Sequence, residues 1–211
     1  MIDYESRCRS YHHHKFSAIK AGLRDDIVRF ATFSPEYRPE VTFRTGVSIF
    51  FKPAILCLFL YRIAHYLYLC RWKRLARFVS ALNLTLHKAY IPPQSCIGPG
   101  CFIGHPAGTT FLGTAGRGLT LLSLAICCPR EDAFGAPASQ APRLGDNVLV
   151  GAHAVVIGPV NVGDDVKVAT NTWLSVDCPP NRIACSAKIR QRVRPIGESE
   201  QQRAVANASD Q

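Results

Sequence analysis

The chain has 211 residues, of which 47% are apolar and 19% charged, and its formal net charge at pH 7 is +10. This apolar content supports a sizeable core and argues against an intrinsically disordered chain. The positive charge suits an anionic ligand or an acidic membrane surface, whereas the basic clusters lack the interleaved aromatic residues expected of a nucleic-acid binder. Nine scattered cysteines without a CxxC pair indicate a reduced, cytoplasmic protein without a zinc site.

Residues 1–46 form a polar N-terminal segment without a clear hydrophobic period, although the pattern admits a short helix near 17–32. Three consecutive histidines, His12, His13 and His14, have the chemistry of metal ligands. Adjacent residues on a helix point to different faces, so we expect a solvated segment there and no metal site.

Residues 47–90 are strongly apolar with basic interruptions, and they predict two helices with Pro53 in the first turn of the first. The uncharged run between Lys52 and Arg62 has nine residues, whereas about 20 are needed to cross a bilayer. We therefore expect this helical region to pack against the rest of the chain or a neighbouring subunit. The alternative is peripheral contact with a membrane surface, because a basic turn at 71–77 adjoins aromatic residues.

The stretch from Leu144 to Trp173 repeats with a period of six, and a small or aliphatic residue recurs at the fifth place of each block. The aliphatic residues that open successive blocks are Leu144, Val150, Val156, Val162, Val168 and Leu174. A short fixed period is typical of a solenoid, in which each unit buries its apolar face against its neighbours. Each block is predicted to be one short strand and one turn, and three blocks one triangular coil.

A weaker array with the same period precedes this stretch. Its openers are Ile91, Ile97, Ile103, Thr109, Ala115, Leu121 and Cys127. The phase breaks after Cys127, and segment 128–143, rich in Pro, Ala and polar residues, is predicted to be a loop extruded from the solenoid, where function often resides. Residues 91–190 are thus expected to form the repeat domain, and 191–211 a polar C-terminal tail.

The strings YRIAHYLYL, LHKAYIPPQSCIGPGCFIGHPAG and LGDNVLVGAHAVVIGPVNVGDD resemble, in order and spacing, the serine acetyltransferase-like hexapeptide-repeat acyltransferases. The likeness covers roughly residues 58–190, and its best-matching part includes acetyltransferases of exopolysaccharide and capsule assembly, such as the colanic acid type. The resemblance implies a mainly β protein, a left-handed parallel β-helix with an N-terminal α-helical region. It also implies a homotrimer that uses acetyl-CoA as donor, bound along the solenoid near the subunit interface, and needs no metal.

His105 in FIGHPAG matches the family's catalytic histidine, which implies a general base that takes the proton of an acceptor hydroxyl. The resemblance further implies a donor site in which small residues approach the pantetheine arm and basic residues meet the phosphates. The matching positions are Gly151, Ala152, Ala169, Thr170, Lys188 and Arg190. For Lys188 and Arg190 a solvated basic tail is the equal alternative.

Several further residues are expected to have structural roles. Arg62 and His65 in YRIAH are read as structural, and His153 as an exposed turn residue. The adjacent Cys127 and Cys128 are expected to be buried thiols, because no neighbouring base can be identified to activate them.

Two departures from the family pattern bear on the acceptor. Serine acetyltransferases carry Asp before the histidine and a second histidine before Pro in the extruded loop, where this chain has Gly104 and Ala141. We therefore expect an O-acetyltransferase acting on a sugar hydroxyl in surface polysaccharide biosynthesis, in the cytoplasm or at the inner face of the membrane. The alternatives are a serine O-acetyltransferase of cysteine biosynthesis and a non-catalytic hexapeptide scaffold.

Overall fold

The computed structural model describes residues 16–34, 43–130 and 140–186. Its helices are α1 (Phe16–Phe33), α2 (Phe43–Phe50), α3 (Pro53–Leu69) and α4 (Lys73–His87). Pro53 stands in the first turn of α3, as predicted. Within the described ranges, no helix combines the length and apolarity that a bilayer span requires.

Thirteen short strands follow in the described part of the chain. They are β1 (Cys96–Ile97), β2 (Phe102–Ile103), β3 (Thr110–Phe111), β4 (Thr114–Ala115), β5 (Thr120–Leu121), β6 (Ile126–Cys128), β7 (Arg143–Leu144), β8 (Leu149–Val150), β9 (Val155–Ile157), β10 (Asn161–Val162), β11 (Lys167–Val168), β12 (Trp173–Leu174) and β13 (Ile183–Ala184).

The strands fall in rotation into three parallel sheets, with orders β1-β4-β7-β10, β2-β5-β8-β11-β13 and β3-β6-β9-β12. Successive strands therefore lie on different faces, and each turn of the chain stacks on the turn before it. In the last turn an isolated bridge between Val162 and Cys178 precedes β13. The predicted coil of three blocks per turn is the arrangement observed.

The core runs along the inside of this coil. The block openers from Leu144 to Val168 have no exposed surface, and Leu174 is buried as well. Register pairs such as Leu144 with Val162 and Val150 with Val168 stack equivalent openers directly over one another. Burial of an aliphatic side chain of this size contributes about 1.5–3 kcal/mol.

The first turn of the coil departs from the predicted phase. The period of six places Thr109 at an opener position, but Phe111 is the inward residue there and pairs with Cys127. The corner between β2 and β3 is thus longer than a regular corner, and the next one, between Phe111 and Ala115, is correspondingly shorter. The large Phe111 ring fills the interior that a threonine would leave empty.

The predicted extruded loop keeps strand structure at its two flanks. Cys128 ends β6 and pairs with Ile157, while Arg143 begins β7 and pairs with Thr114. Residues 131–139 lie outside the described part of the chain. Sheet register therefore continues across the insertion, because the strands on both sides bind the same neighbouring turns.

Tyr61 and His65 of α3 attach the helices to the start of the coil. The Tyr61 hydroxyl donates to the Ser95 carbonyl and accepts the Ile97 N–H, both at 2.9 Å. One turn further along α3, the Nδ1–H of His65 donates to the Pro93 carbonyl at 2.8 Å. Burial lowers the pKa of His65 to about 4, so this imidazole is neutral and serves as a hydrogen-bond donor to the backbone.

Arg62, between these two residues, forms a buried ion pair with Asp26 of α1. Its Nε and Nη2 donate to the two carboxylate oxygens at 2.6 and 2.7 Å, and Nη2 also reaches the Gly98 carbonyl at 3.1 Å. Asp26 in turn accepts the Cys101 N–H at 2.8 Å. These contacts agree with the structural role predicted for Arg62, since one ion pair joins α1, α3 and the first turn of the coil.

Candidate active site

His105 lies in the lengthened corner that follows β2, and its side chain is exposed. The Thr109 hydroxyl donates to the His105 carbonyl at 3.0 Å, and the Gly108 N–H donates to the Lys88 carbonyl at 2.9 Å. Gly108 has a φ of +75°, a conformation that glycine adopts without steric cost. The backbone of the corner is therefore fixed while the imidazole faces solvent.

The corner of His105 heads a column of equivalent corners. The register of the five-stranded sheet aligns Ile103, Leu121, Val150, Val168 and Ala184. The two residues after each of these positions consequently stack along one edge of the coil. The structure thus places Gly151, Ala152, Ala169 and Thr170 on the same edge as His105.

Successive turns are about 4.8 Å apart. Along this edge, two steps separate the His105 corner from that of Ala152, and three separate it from that of Thr170. The separations along the coil are therefore roughly 10 and 14 Å. This arrangement suits a long, thin ligand running parallel to the coil axis with its reactive end at His105.

The candidate donor residues differ in burial. Gly151 is buried, Ala152 and Ala169 are half-buried, and Thr170 is exposed. A Cβ added at Gly151 would lie 2.7 Å from both the Thr170 nitrogen and the Val168 oxygen. Close stacking of the next turn is thus sufficient to require a glycine there. Lys188 and Arg190 lie outside the described residues.

This edge of the coil suits the pantetheine arm of acetyl-CoA. Small side chains at Ala152, Ala169 and Thr170 leave a shallow surface on which a slender apolar arm can lie against the backbone. The exposed Leu124 adds apolar surface between these positions and His105. The residues present on this edge therefore fit the pantetheine part of the donor.

Leu124 is a residue of the candidate site that the sequence analysis did not identify. It has a φ of +58°, at the corner position that Asn147, His153, Asp165 and Asn171 occupy in later turns. A left-handed leucine is strained, and such strain concentrates at functional sites. A Cβ at Gly108 would fall 2.1 Å from the Leu124 Cδ2, so the Leu124 side chain supports the corner that holds His105.

His153 is a second exposed histidine on this edge. Its φ is +57° and its N–H donates to the Ser123 carbonyl at 3.0 Å. The exposure predicted for it is confirmed. It stands in the regular corner of a later turn, and not in the lengthened corner of His105.

Neither Cys127 nor Cys128 of β6 is an activated nucleophile. Cys127 is fully buried and burial raises the pKa of its thiol far above the usual range, while Cys128 is half-buried. Thiols of this kind are unreactive because the thiolate is disfavoured. Cys96 is disulfide-bonded, which corrects the expectation of a fully reduced chain.

Metal ligands are not assembled in the part of the chain that the structure covers. Over residues 16–34, 43–130 and 140–186, no three His, Cys, Asp or Glu side chains come together in a way that could hold an ion. The consecutive histidines 12–14 lie outside those ranges.

Comparison with known proteins places this geometry in a family. Residues 143–175 match the model of the hexapeptide repeat of succinyl-transferase. The serine acetyltransferase of Helicobacter pylori is 34% identical over 146 residues, covering 65% of this chain and 80% of the relative. That of Mycobacterium tuberculosis is 28% identical over 137 residues, covering 64% and 58%.

Solved structures share the fold. Entamoeba histolytica serine acetyltransferase isoform 3, solved in complex with cysteine, aligns with a TM-score of 0.75 at 20% identity over 99% of this chain and 70% of that one. The Neisseria gonorrhoeae serine acetyltransferase aligns with a TM-score of 0.72 at 18% identity over 90% and 72%. These likenesses place N-terminal helices and parallel sheets of hexapeptide repeats together in one known architecture.

The comparisons overturn the expectation of a sugar acceptor in polysaccharide biosynthesis. That expectation depended on Gly104 and Ala141, two single positions, whereas the Helicobacter relative matches over 146 residues and is a serine acetyltransferase. The matches therefore identify the serine acetyltransferases and not the polysaccharide branch of the family. The predicted glycan acceptor is wrong for the same reason. The chain belongs to the hexapeptide-repeat acetyltransferases related to serine acetyltransferases, and it is an acyltransferase that takes its acetyl group from acetyl-CoA.

Proposed function

We propose that the protein is a serine O-acetyltransferase of cysteine biosynthesis that uses His105 as general base. The observation that carries the proposal is the position of His105, exposed at the corner that heads the column containing Gly151, Ala152, Ala169 and Thr170. The 34% identity to the Helicobacter serine acetyltransferase supports L-serine as the acceptor.

The chemistry requires a base at this place. A serine hydroxyl is a poor nucleophile, and an imidazole can take its proton because this group titrates near neutral pH. His105 would remove the proton as the oxygen bonds to the acetyl carbonyl carbon. It would return that proton to the departing sulfur when the C–S bond breaks. The transfer is direct, so no acyl-enzyme forms.

The donor site is proposed to run down the corner column from His105. Gly151, Ala152, Ala169 and Thr170 would flank the pantetheine arm. Lys188 and Arg190 are proposed to meet the phosphates, where positive charge is favourable. We further propose a left-handed β-helix assembled as a trimer, with the donor near the subunit interface; the fold of the Entamoeba relative supports this assignment of hand.

Turnover of two asparagine variants tests the base. Release of CoA from acetyl-CoA with L-serine should fall by about 10²–10⁴-fold in His105→Asn, since general-base catalysis accounts for a factor of that size. His153→Asn is the matched control, because it removes an exposed corner histidine of the same edge and asparagine tolerates its left-handed backbone. Calorimetry should give both variants the acetyl-CoA affinity of the parent protein. Full turnover in His105→Asn would place the base elsewhere.

A substitution at Gly104 tests the acceptor. A Cβ there has its nearest neighbour, Leu122 Cδ2, at 3.6 Å, so a side chain fits. The family pattern has Asp at this place, where it assists binding of the amino group of serine. Gly104→Asp should therefore lower the KM for L-serine. The KM for 3-hydroxypropionate, which lacks the ammonium group, should not change. Gly104→Asn supplies the uncharged control, and equal KM values in the two variants would argue against serine bound in this pose.

A further inference from the structure

The exposed side of α4 carries an apolar stripe. Its members Leu75, Phe78, Leu82 and Leu86 are spaced three or four residues apart and thus share one helix face. Phe78 and Leu86 are 67% and 62% exposed. Surfaces of this kind are uncommon unless another molecule covers them.

A different face of α4 holds the helix against α3. Ala76 and Asn83 are its buried residues, and the Asn83 side-chain amide donates to the Cys57 carbonyl at 3.0 Å. The orientation of α4 is therefore fixed by its own packing. The stripe stays outside because the helix cannot rotate to bury it without losing these contacts.

The segment of the sequence that contains the stripe carries charge of one sign. Residues 41–130 contain ten Lys and Arg and no Asp or Glu, so this part of the sequence accounts for the entire net charge of +10. Five of these cations are exposed at or beside α4, namely Arg71, Lys73, Arg74, Arg77 and Lys88. The exposed aromatic Trp72 lies among them.

We infer that the α4 surface, defined as residues 71–88, docks on an anionic lipid bilayer. The stripe would enter the boundary between headgroups and acyl chains, the position in which an amphipathic helix with Lys and Arg beside an apolar face is stable. The cations would meet anionic headgroups, whose attraction weakens with salt. This inference goes beyond the proposed function and does not depend on it.

Charge favours a lipid surface over a second copy bound through the same face. In a two-fold contact, each α4 surface would meet its own equivalent. Cations would then face cations, with no carboxylate anywhere in residues 41–130 to pair with them, and like charges across an interface are unfavourable. An anionic membrane has the complementary charge.

Vesicle co-sedimentation of the full chain tests the inference. The probe is phosphatidylcholine vesicles with roughly one third phosphatidylserine, compared with phosphatidylcholine alone. Binding is expected only to the anionic vesicles, and it should decline as salt rises from roughly 0.05 to 0.5 M, because the Debye length shortens. Failure to bind anionic vesicles at low salt, or equal binding to neutral ones, would overturn the inference.

Paired variants locate the contact. Phe78→Ser with Leu86→Ser should lower the partition coefficient by about tenfold or more, and Arg74→Gln with Arg77→Gln should remove much of the salt dependence. Trp173→Ser is the control, because this ring is 64% exposed on β12 of the coil. Turnover without vesicles should be unchanged by the α4 substitutions. If the stripe variant changed the size of the assembly in solution but not vesicle binding, the stripe would be an interface between copies and the inference would be wrong.

Discussion

At the scale of single residues, Asp26 links α1 to α3 and to the first turn of the coil. It has no exposed surface, it pairs with Arg62 through both oxygens, and it accepts the Cys101 N–H. A buried charge is stable only when it is paired and fully hydrogen-bonded. Asp26 and Arg62 therefore depend on each other in the folded state.

Asp26→Asn should lower the free energy of unfolding by about 3–5 kcal/mol, because it leaves the Arg62 charge buried without a counterion. The neighbouring Asp25 supplies the control. It is half-exposed and lies 3.8 Å from Arg117, so Asp25→Asn should cost less than about 1 kcal/mol. Urea denaturation followed by circular dichroism measures both, and equal losses would show that the buried pair has no special role.

His65 gives stability a dependence on pH. Burial lowers its folded-state pKa from 6.5 to about 4, so between these values the unfolded chain binds more protons than the folded one. The contribution of His65 to the free energy of unfolding is complete above pH 6.5 and is lost as pH falls towards 4. At ~1.4 kcal/mol per pH unit, the loss is about 3 kcal/mol in all. Denaturation at a series of pH values should show this slope in the parent protein and a shallower one in His65→Asn. An identical slope in both would assign the effect to other groups.

At the scale of the element, each corner must let the next turn approach. Gly151→Ala should destabilise the coil by about 1–3 kcal/mol, since its Cβ would meet backbone atoms of the next turn at 2.7 Å. Gly104→Ala is the matched change in an equivalent corner, where the nearest atom is a flexible leucine methyl at 3.6 Å, and it should cost less than about 0.5 kcal/mol. Thermal melts distinguish the two. Tolerance of Gly151→Ala would mean that the turns can separate locally.

The element scale also shows what could be predicted from the sequence. The period of six identified the coil and its core from Leu144 onwards, because each opener there is aliphatic. The same rule failed at Thr109, since a corner of different length shifts the phase and only the three-dimensional register reveals that Phe111 points inward. Aliphatic periodicity cannot detect a long corner followed by a short one. The extra residues of the first corner are offset by the missing residues of the second, so the period of six is restored at Ala115.

The candidate site, like the fold, could be predicted from the sequence only in part. His105 and the small residues of later turns could be proposed from resemblance, and the register then placed them on one edge. Leu124 could not be found this way, because leucine is not a turn-forming residue and its left-handed backbone is visible only in the structure.

At the scale of the whole molecule, the coil is a stack in which each turn contacts only its neighbours. Such stacks have stabilities that sum over turns and interfaces. The helices cover the first turn through Tyr61, Arg62 and Asp26, whereas the last described turn, at β13, pairs with β11 on one side. Within residues 43–130 and 140–186, the two ends of the stack therefore make unequal contacts.

This inequality predicts where the coil frays. The Ala169 N–H donates to the Ala184 carbonyl of the last described turn, while the Leu122 N–H donates to the Val150 carbonyl in the interior. Hydrogen exchange should be faster at Ala169, because local opening starts where neighbours are fewest. Saturating acetyl-CoA should slow exchange at Ala169 more than at Leu122, since a ligand stabilises the closed form that binds it. The donor would then keep closed the turn that opens most readily in the described coil, and the supply of acetyl-CoA would determine how long that end of the coil stays folded.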